Sequence, residues 1–264
     1  MILVKAAPVL TSDLEESMCV AAVAIEGTPR WVRLHPVPFR DLADDLKFKK
    51  YQIVRTKVAR PKSDRRPESL LPLGGSLRPG RVVSTKDGWA ERRRWIDALG
   101  ERTMCELVEA NRAGSGPGVA SLAVVRPAGQ PQLEISVRDE DQLRKWRTRA
   151  AAMESQPSLF DDPDKPKPPF EVVPWRFRNK YRCRAPQCNG HSQTIVDWEV
   201  VALWRRVQHK PDWQEQMRRK FVDELWAPGR DTVLFVGNQE QYPISFLVLG
   251  IFWPPAGPVQ TSLL

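Results

Sequence analysis

The chain has 264 residues, 41% hydrophobic and 28% charged, a globular balance that excludes a disordered polymer and gives length for one large domain or two small ones. Lys and Arg number 41 against 32 Asp and Glu, a formal net charge of +9, which favours a polyanionic partner, nucleic acid ahead of an anionic membrane. No stretch nears the ~18 apolar residues of a membrane span. The start MILVKAAPVL lacks the basic flank of a secretory signal, and four unevenly spaced cysteines make no disulfide framework, so a cytoplasmic, reducing compartment is expected.

In chain order, residues 1–60 read as β-rich. Short strands are expected at 1–4, 19–25 and 31–34, the last ended by the HPVP step because proline cannot donate to a ladder. YQIVRTKV at 51–58 alternates as a half-buried strand. The density of short strands and turns suggests a barrel-like domain, similar to PUA-like or OB-like barrels. Residues 61–88 are turn-rich. Residues 89–112 carry helical periodicity broken near Gly100, and strands follow at 119–125 and 133–137. Asp139 is placed to cap a helix reaching about 153.

SQPSLFDDPDKPKPPF at 155–170 has five prolines and no periodicity, the composition of a linker. It divides the chain into a basic, β-rich part at 1–154 and a smaller part at 171–264, and most of the positive surplus lies in the first. The second part opens with an alternating strand at 173–183. Helices are expected at 194–207 and 212–225. The most apolar strands, 232–236 and 245–253, are expected at the centre of the fold. The fold class read from this pattern is α+β, a barrel-like N-terminal domain followed by a metal-stapled α+β part.

The most specific chemical signal is Cys183-Arg-Ala-Pro-Gln-Cys188-Asn-Gly-His191. Two thiols and an imidazole within nine residues, with Pro and Gly at the turns, let three zinc ligands converge without a long loop closure. The fourth ligand is open among Cys105, Cys19, His209, His35 and Asp197. A water in that position would make the site open, as catalytic zinc sites are, and four protein ligands would make it structural. The competing interpretation is two ordinary cysteines beside a capping histidine.

KFKKYQIVRTKVARPKSDRR at 47–66 holds nine basic residues and one acid, Asp64. Lys49, Lys50, Arg55 and Lys57 are the candidates for contact with nucleic-acid phosphates; the plainer alternative is a charged edge strand that discourages aggregation. In the linker, Gln156-Pro-Ser-Leu159-Phe160 resembles the short motif by which bacterial DNA-metabolism proteins dock on the sliding clamp. The resemblance implies that Gln156, Leu159 and Phe160 bind that partner. Among the tryptophans, Trp31, Trp175, Trp198, Trp204 and Trp253 fall on apolar faces and are expected in the core. Trp89, Trp95, Trp146 and Trp213 lie among charges, where one or two could stack on bases.

These features together point to a nucleic-acid-binding accessory protein, DNA favoured over RNA, in bacterial-type DNA metabolism or defence, with structural zinc. No nucleophile elbow, phosphate loop or dinucleotide fingerprint is present, so a non-catalytic role is favoured. The rivals are a metal-dependent nuclease using His191, Asp197 and Glu199, and a protein-interaction adaptor. Asp197 and Glu199, two apart on an expected helix, should face different ways.

Overall fold

The computed structural model describes residues 1–10, 16–114, 118–155 and 169–257. The first part runs β1 (Ile2–Lys5), β2 (Val9–Leu10), β3 (Glu16–Ala24), β4 (Arg30–Val37), β5 (Gln52–Arg55), β6 (Val58–Ala59), β7 (Ser69–Pro72), β8 (Arg78–Val82) and α1 (Lys86–Asp97). There follow α2 (Met104–Ala113), β9 (Leu122–Val125), β10 (Gln132–Val137), α3 (Glu140–Glu154), β11 (Trp175–Tyr181) and β12 (His191–Thr194). The chain then continues through α4 (Trp198–Val207), α5 (Trp213–Arg218), β13 (Val233–Gln239) and β14 (Tyr242–Phe252), with a π-helical turn, Arg219–Glu224, extending α5. The class is mixed α+β, dominated by sheet. No helix among the described residues is long and apolar enough to cross a membrane.

The strands form a β1–β3–β4–β7–β6 sheet with β2 beside β3, a β10–β11–β12 sheet, a β14–β13–β9 sheet and a β5–β8 pair. Strands on the two sides of the proline-rich stretch pair with each other: β10 with β11, and β9 with β13. The β9–β13–β14 sheet explains why its sequence is so uniformly apolar. Alternate side chains of a strand point to opposite faces, and here both faces are buried. Ala123, Val125, Leu234, Val236, Val248 and Ile251 face a core shared with α2, β11, α4 and α5. Leu122, Val124, Val233, Phe235, Leu249 and Phe252 face a second core, completed by Met1, Leu3, Val4, Ala21, Val23, Tyr51 and Ile96 from the first hundred residues. Gly237 is required by this packing, because a Cβ there would lie 2.6 Å from Leu249 Cδ1 and 2.8 Å from Leu122 Cδ2. The outer face of β1, β3 and β4 covers a third core around Met18, Val20, Leu34 and Phe48.

Several expectations are corrected. Among the described residues no sheet closes into a barrel; the β1–β3–β4–β7–β6 sheet is open and buries its faces against other layers. The HPVP step does not end β4, which continues to Val37. A register shift opposite Cys19 carries the pairing from Leu34↔Val20 to Val37↔Met18, so Pro36 is not asked for a donor. The single strand expected at 51–58 is two strands with different partners, β5 with β8 and β6 with β7. The turn-rich segment 61–88 contains β7 and β8. The helix expected from 194 begins at 198, because 191–194 are strand β12, paired with β11. The break at Gly100 and the Asp139 cap stand where the sequence placed them, with Asp139 accepting from Gln142 N at 3.0 Å.

Because Phe235 is fully buried in the core that both parts of the chain build, Phe235→Ala should cost about 3–5 kcal/mol. The wild type should also unfold in one transition in urea monitored by tryptophan fluorescence. Two well-separated transitions would contradict a shared core.

Candidate metal centre and basic aromatic cleft

The Cys183–His191 loop leaves the end of β11 and returns into β12. Gly190, at φ +104, supplies a left-handed turn that side chains disfavour immediately before His191. Across from the loop, α2 opens with a capping box: Thr103 Oγ1 accepts from Glu106 N at 3.2 Å, and Glu106 Oε2 accepts from Thr103 N at 3.0 Å. That cap aims the first turn of α2, carrying Cys105, at the loop. The ligand atoms of Cys105, Cys183, Cys188 and His191 all lie within 4.8 Å of one another.

The individual distances suit one shared ion. Cys105 Sγ and Cys183 Sγ are 3.6 Å apart, too far for a disulfide bond, and all four cysteines are free. His191 Nε2 is 3.5 Å from Cys105 Sγ and 3.3 Å from Cys188 Sγ. A tetrahedral ion with metal–sulfur bonds near 2.3 Å and a metal–nitrogen bond near 2.0 Å requires edges of about 3.8 and 3.5 Å. Backbone amides of Cys183 and Gly190 donate to Cys188 Sγ at 3.3 and 3.4 Å, an arrangement that favours thiolate over thiol. Burial resists ionisation of Cys183, but hydrogen bonds from the Ala185 and Cys105 backbones and from His191 outweigh it, and the thiol is lowered to about 6. Burial and the neighbouring thiols push Cys105 up to about 12. This cluster could hold a metal ion. Cys105 was one of five sequence candidates for the fourth position, and the other four lie outside the cluster.

The second assembly lies where the first hundred residues meet α4. Asp197 caps α4, its Oδ1 accepting from Glu199 N at 3.1 Å. As a cap it lies outside the helical register, so Asp197 and Glu199 converge instead of diverging. Lys50 Nζ donates to Asp197 Oδ2 at 3.2 Å and to Glu199 Oε2 at 3.0 Å. Burial opposes the Lys50 charge, but Asp197, Tyr51 and Glu199 outweigh it and hold the ammonium well above the usual lysine value. Burial pushes Asp197 up to about 6, against the pull of Lys50. Lys5 stands nearby, its Nζ 3.8 Å from the Phe39 ring centre, and burial lowers it to about 8.

Lys50 and Glu199 of this cluster also line a cavity of about 630 Å³. Five cations line it: Lys49, Lys50, Arg92, Arg206 and Lys220. Tyr51, Trp89, Phe221 and Trp253 supply aromatic walls, and Glu199 is the lining carboxylate. The Arg92 guanidinium lies 4.0 Å from the Tyr51 ring centre and 5.0 Å from that of Trp89, and the Trp89 and Trp253 rings are 5.3 Å apart. Among the described residues, three non-glycines have positive φ: Tyr51, Asp87 and Trp89. Tyr51 and Trp89 line this cavity, and Asp87 is in the left-handed turn that delivers Trp89 to it. A left-handed residue with a side chain costs about 1–2 kcal/mol, and strain of this kind gathers at functional sites.

The sequence candidates are thus distributed. Lys49 is exposed at the rim of the cavity and Lys50 is buried in its floor. Arg55 is exposed and 3.7 Å from Glu26. Lys57 is exposed beyond β5, and neither Arg55 nor Lys57 lines the cavity. His191 belongs to the cysteine cluster, whereas Asp197 and Glu199 bind Lys50, so the three do not form one catalytic set. Trp253, expected in the core, is half-buried in the cavity wall. Arg206 and Lys220 were not singled out in the sequence, where they read as ordinary helix-face charges. Gln156, Leu159 and Phe160 lie outside the described residues.

Two outcomes follow. Cys105→Ser should remove most of the bound metal from the purified protein, as Cys183→Ser should, and elemental analysis reads both; unchanged metal content in Cys105→Ser would exclude Cys105 as a ligand. Lys50→Met strands the buried Asp197 carboxylate and should cost about 3–5 kcal/mol at neutral pH. Without Lys50, the folded-state pKa of Asp197 rises further above its unfolded value, so the variant's stability should fall as pH rises from about 4 through neutrality. Urea melts across that range check this, and adding Asp197→Asn, which keeps a cap, should recover most of the loss.

No curated protein and no solved structure matches the chain. Residues 1–98 match a domain of unknown function (DUF8758), and the boundary between 98 and 100 separates α1 from α2, so the cavity draws on both sides of it and all four clustered ligands lie on one. Residues 100–264, more than half of the sequence, match another domain of unknown function (DUF8757), and the chain belongs to that family.

Proposed function

We propose that the chain is a nucleic-acid-binding accessory protein, DNA favoured over RNA, whose binding site is the cleft between α1 and α4 and whose Cys105–Cys183–Cys188–His191 centre holds structural zinc. The observation that carries the reading is the composition of the cleft: five cations and four aromatic rings around one cavity, at the place where the chain's strained residues gather. Cations that release counterions from phosphates supply affinity, and aromatic faces suit bases without regard to sequence. Arg55 and Lys57 remain exposed for contacts beyond the cleft. Zinc is favoured by the borderline-soft three-thiolate, one-imidazole set, and four protein ligands leave no open position for catalysis. Asp197 and Glu199 are already engaged with Lys50, which argues against the metal-dependent nuclease. Docking of Gln156, Leu159 and Phe160 on a sliding clamp, and with it a place in bacterial DNA metabolism or defence, remains a proposal from sequence.

Binding should weaken linearly in log affinity against log salt, with a slope of about −2 to −3 if three or four phosphates are neutralised on a single strand. Fluorescence anisotropy of a labelled oligonucleotide from 50 to about 300 mM salt measures it. An affinity indifferent to salt would contradict the reading. Purified protein should carry zinc at one ion per chain.

A further inference from the structure

We infer that the cleft takes an unpaired nucleotide, with the base against the Trp89–Trp253 wall and its phosphate between Lys49 and Arg206. This rests on the nucleic-acid reading and makes it narrower. The cations of the cleft are not equivalent. Lys50 is neutralised by Asp197 and Glu199. Arg92 donates to Val83 O at 3.0 and 2.8 Å and stacks on Tyr51. Lys220 is paired with Glu224 at 2.6 Å. Among the described residues, Lys49 and Arg206 have no carboxylate partner, and both are exposed. A phosphate is therefore drawn to the rim at Lys49 and Arg206. Glu199, whose side chain is 53% exposed, keeps phosphate off the floor and offers an acceptor to a base amino or sugar hydroxyl group.

The walls point to an unstacked base. Trp253 has Lys220 Nζ 5.0 Å and the Arg230 guanidinium 4.8 Å from its ring centre, and Trp89 meets it at 64°. The two indoles form a corner and not a closed sandwich, and both are only half-buried, so a base would reach them by displacing the Lys220 or Arg230 side chain from the Trp253 ring. About 630 Å³ is within the range of small-ligand pockets and accommodates a base, a sugar and a phosphate. A base pair inside a duplex presents only its edges in the grooves and cannot lay a face on the wall of a concave site, whereas unpaired bases can.

The test is a titration of the full chain, read by anisotropy and by quenching of tryptophan fluorescence. The probes are a single-stranded oligonucleotide, the same sequence as a duplex, and a mononucleotide. The expected result is quenching by the single strand, with at least tenfold tighter binding than the duplex. Arg206→Glu and Lys49→Ala, both at exposed positions, should each weaken the single strand fivefold or more with unchanged thermal melts. Trp253→Phe should reduce the quench. Salt-dependent binding in which duplex equals single strand, or in which Arg206→Glu and Lys49→Ala have no effect, would overturn the inference and leave the nucleic-acid reading standing. Quenching by the mononucleotide without any binding of the strand would overturn the polymer ligand. No binding of any probe would sink both readings.

Discussion

Burial of the β9–β13–β14 sheet on both faces is the constraint on which the rest of the structure depends. Its side chains alternate between a core built with α2, β11, α4 and α5 and a core built with β1, β3 and α1. Each face needs partners from a different stretch of chain, so the regions on either side of residue 99 are joined through apolar surface. Polar ties reinforce the junction. Arg33, 2% exposed, donates from Nη2 to the carbonyl and hydroxyl of Ser121 at 3.0 and 3.1 Å, and that hydroxyl donates to Glu68 at 2.7 Å. Arg93, from α1, reaches Asp231 at 2.7 Å.

The two candidate sites follow from that frame. The Cys105–Cys183–Cys188–His191 cluster joins the start of α2 to the β11–β12 loop, elements that the first core already packs together, so a bound ion would lock an arrangement that side-chain burial selects. The cleft forms at the other junction, where residues 49–51 and α1 face α4 and the extension of α5. Lys50 is its keystone: a buried ammonium compensated by a cap carboxylate and its neighbour. Breaking such a group strands charge, whereas the exposed cations Lys49 and Arg206 can be exchanged without that penalty.

What the sequence disclosed was set by how local each feature is. The Cys183–His191 loop closes over nine residues, and its three candidate ligands could be read from spacing alone. The fourth member of the cluster, Cys105, lies far away in sequence and is brought in by tertiary packing, and nothing local separated it from Cys19, His35 or Asp197. The apolar runs at 232–236 and 245–253 announced a central sheet because two-sided burial leaves no alternation to mistake. The N-terminal region was legible as β-rich, but not as open sheets, since short strands separated by turns are compatible with either closure. The cleft was least legible. Its cations come from four separate segments, and the convergence of Asp197 and Glu199 depends on a helix that begins at 198 and not 194, a difference decided by the pairing of β12 with β11. Trp89 was singled out for its charged surroundings, whereas the left-handed turn that carries it has no strong signal beyond Gly88.

The proposed function turns on entry of ligand into the cleft at the junction of residues 1–98 and 100–264. Hydrogen–deuterium exchange of the full chain, with and without a saturating single-stranded oligonucleotide, tests this most directly. Ligand in the cleft should bring new protection in peptides spanning 49–51, 85–92, 199–206 and 220–225. Protection confined to the basic strands at 52–66, or none in those four segments, would contradict it.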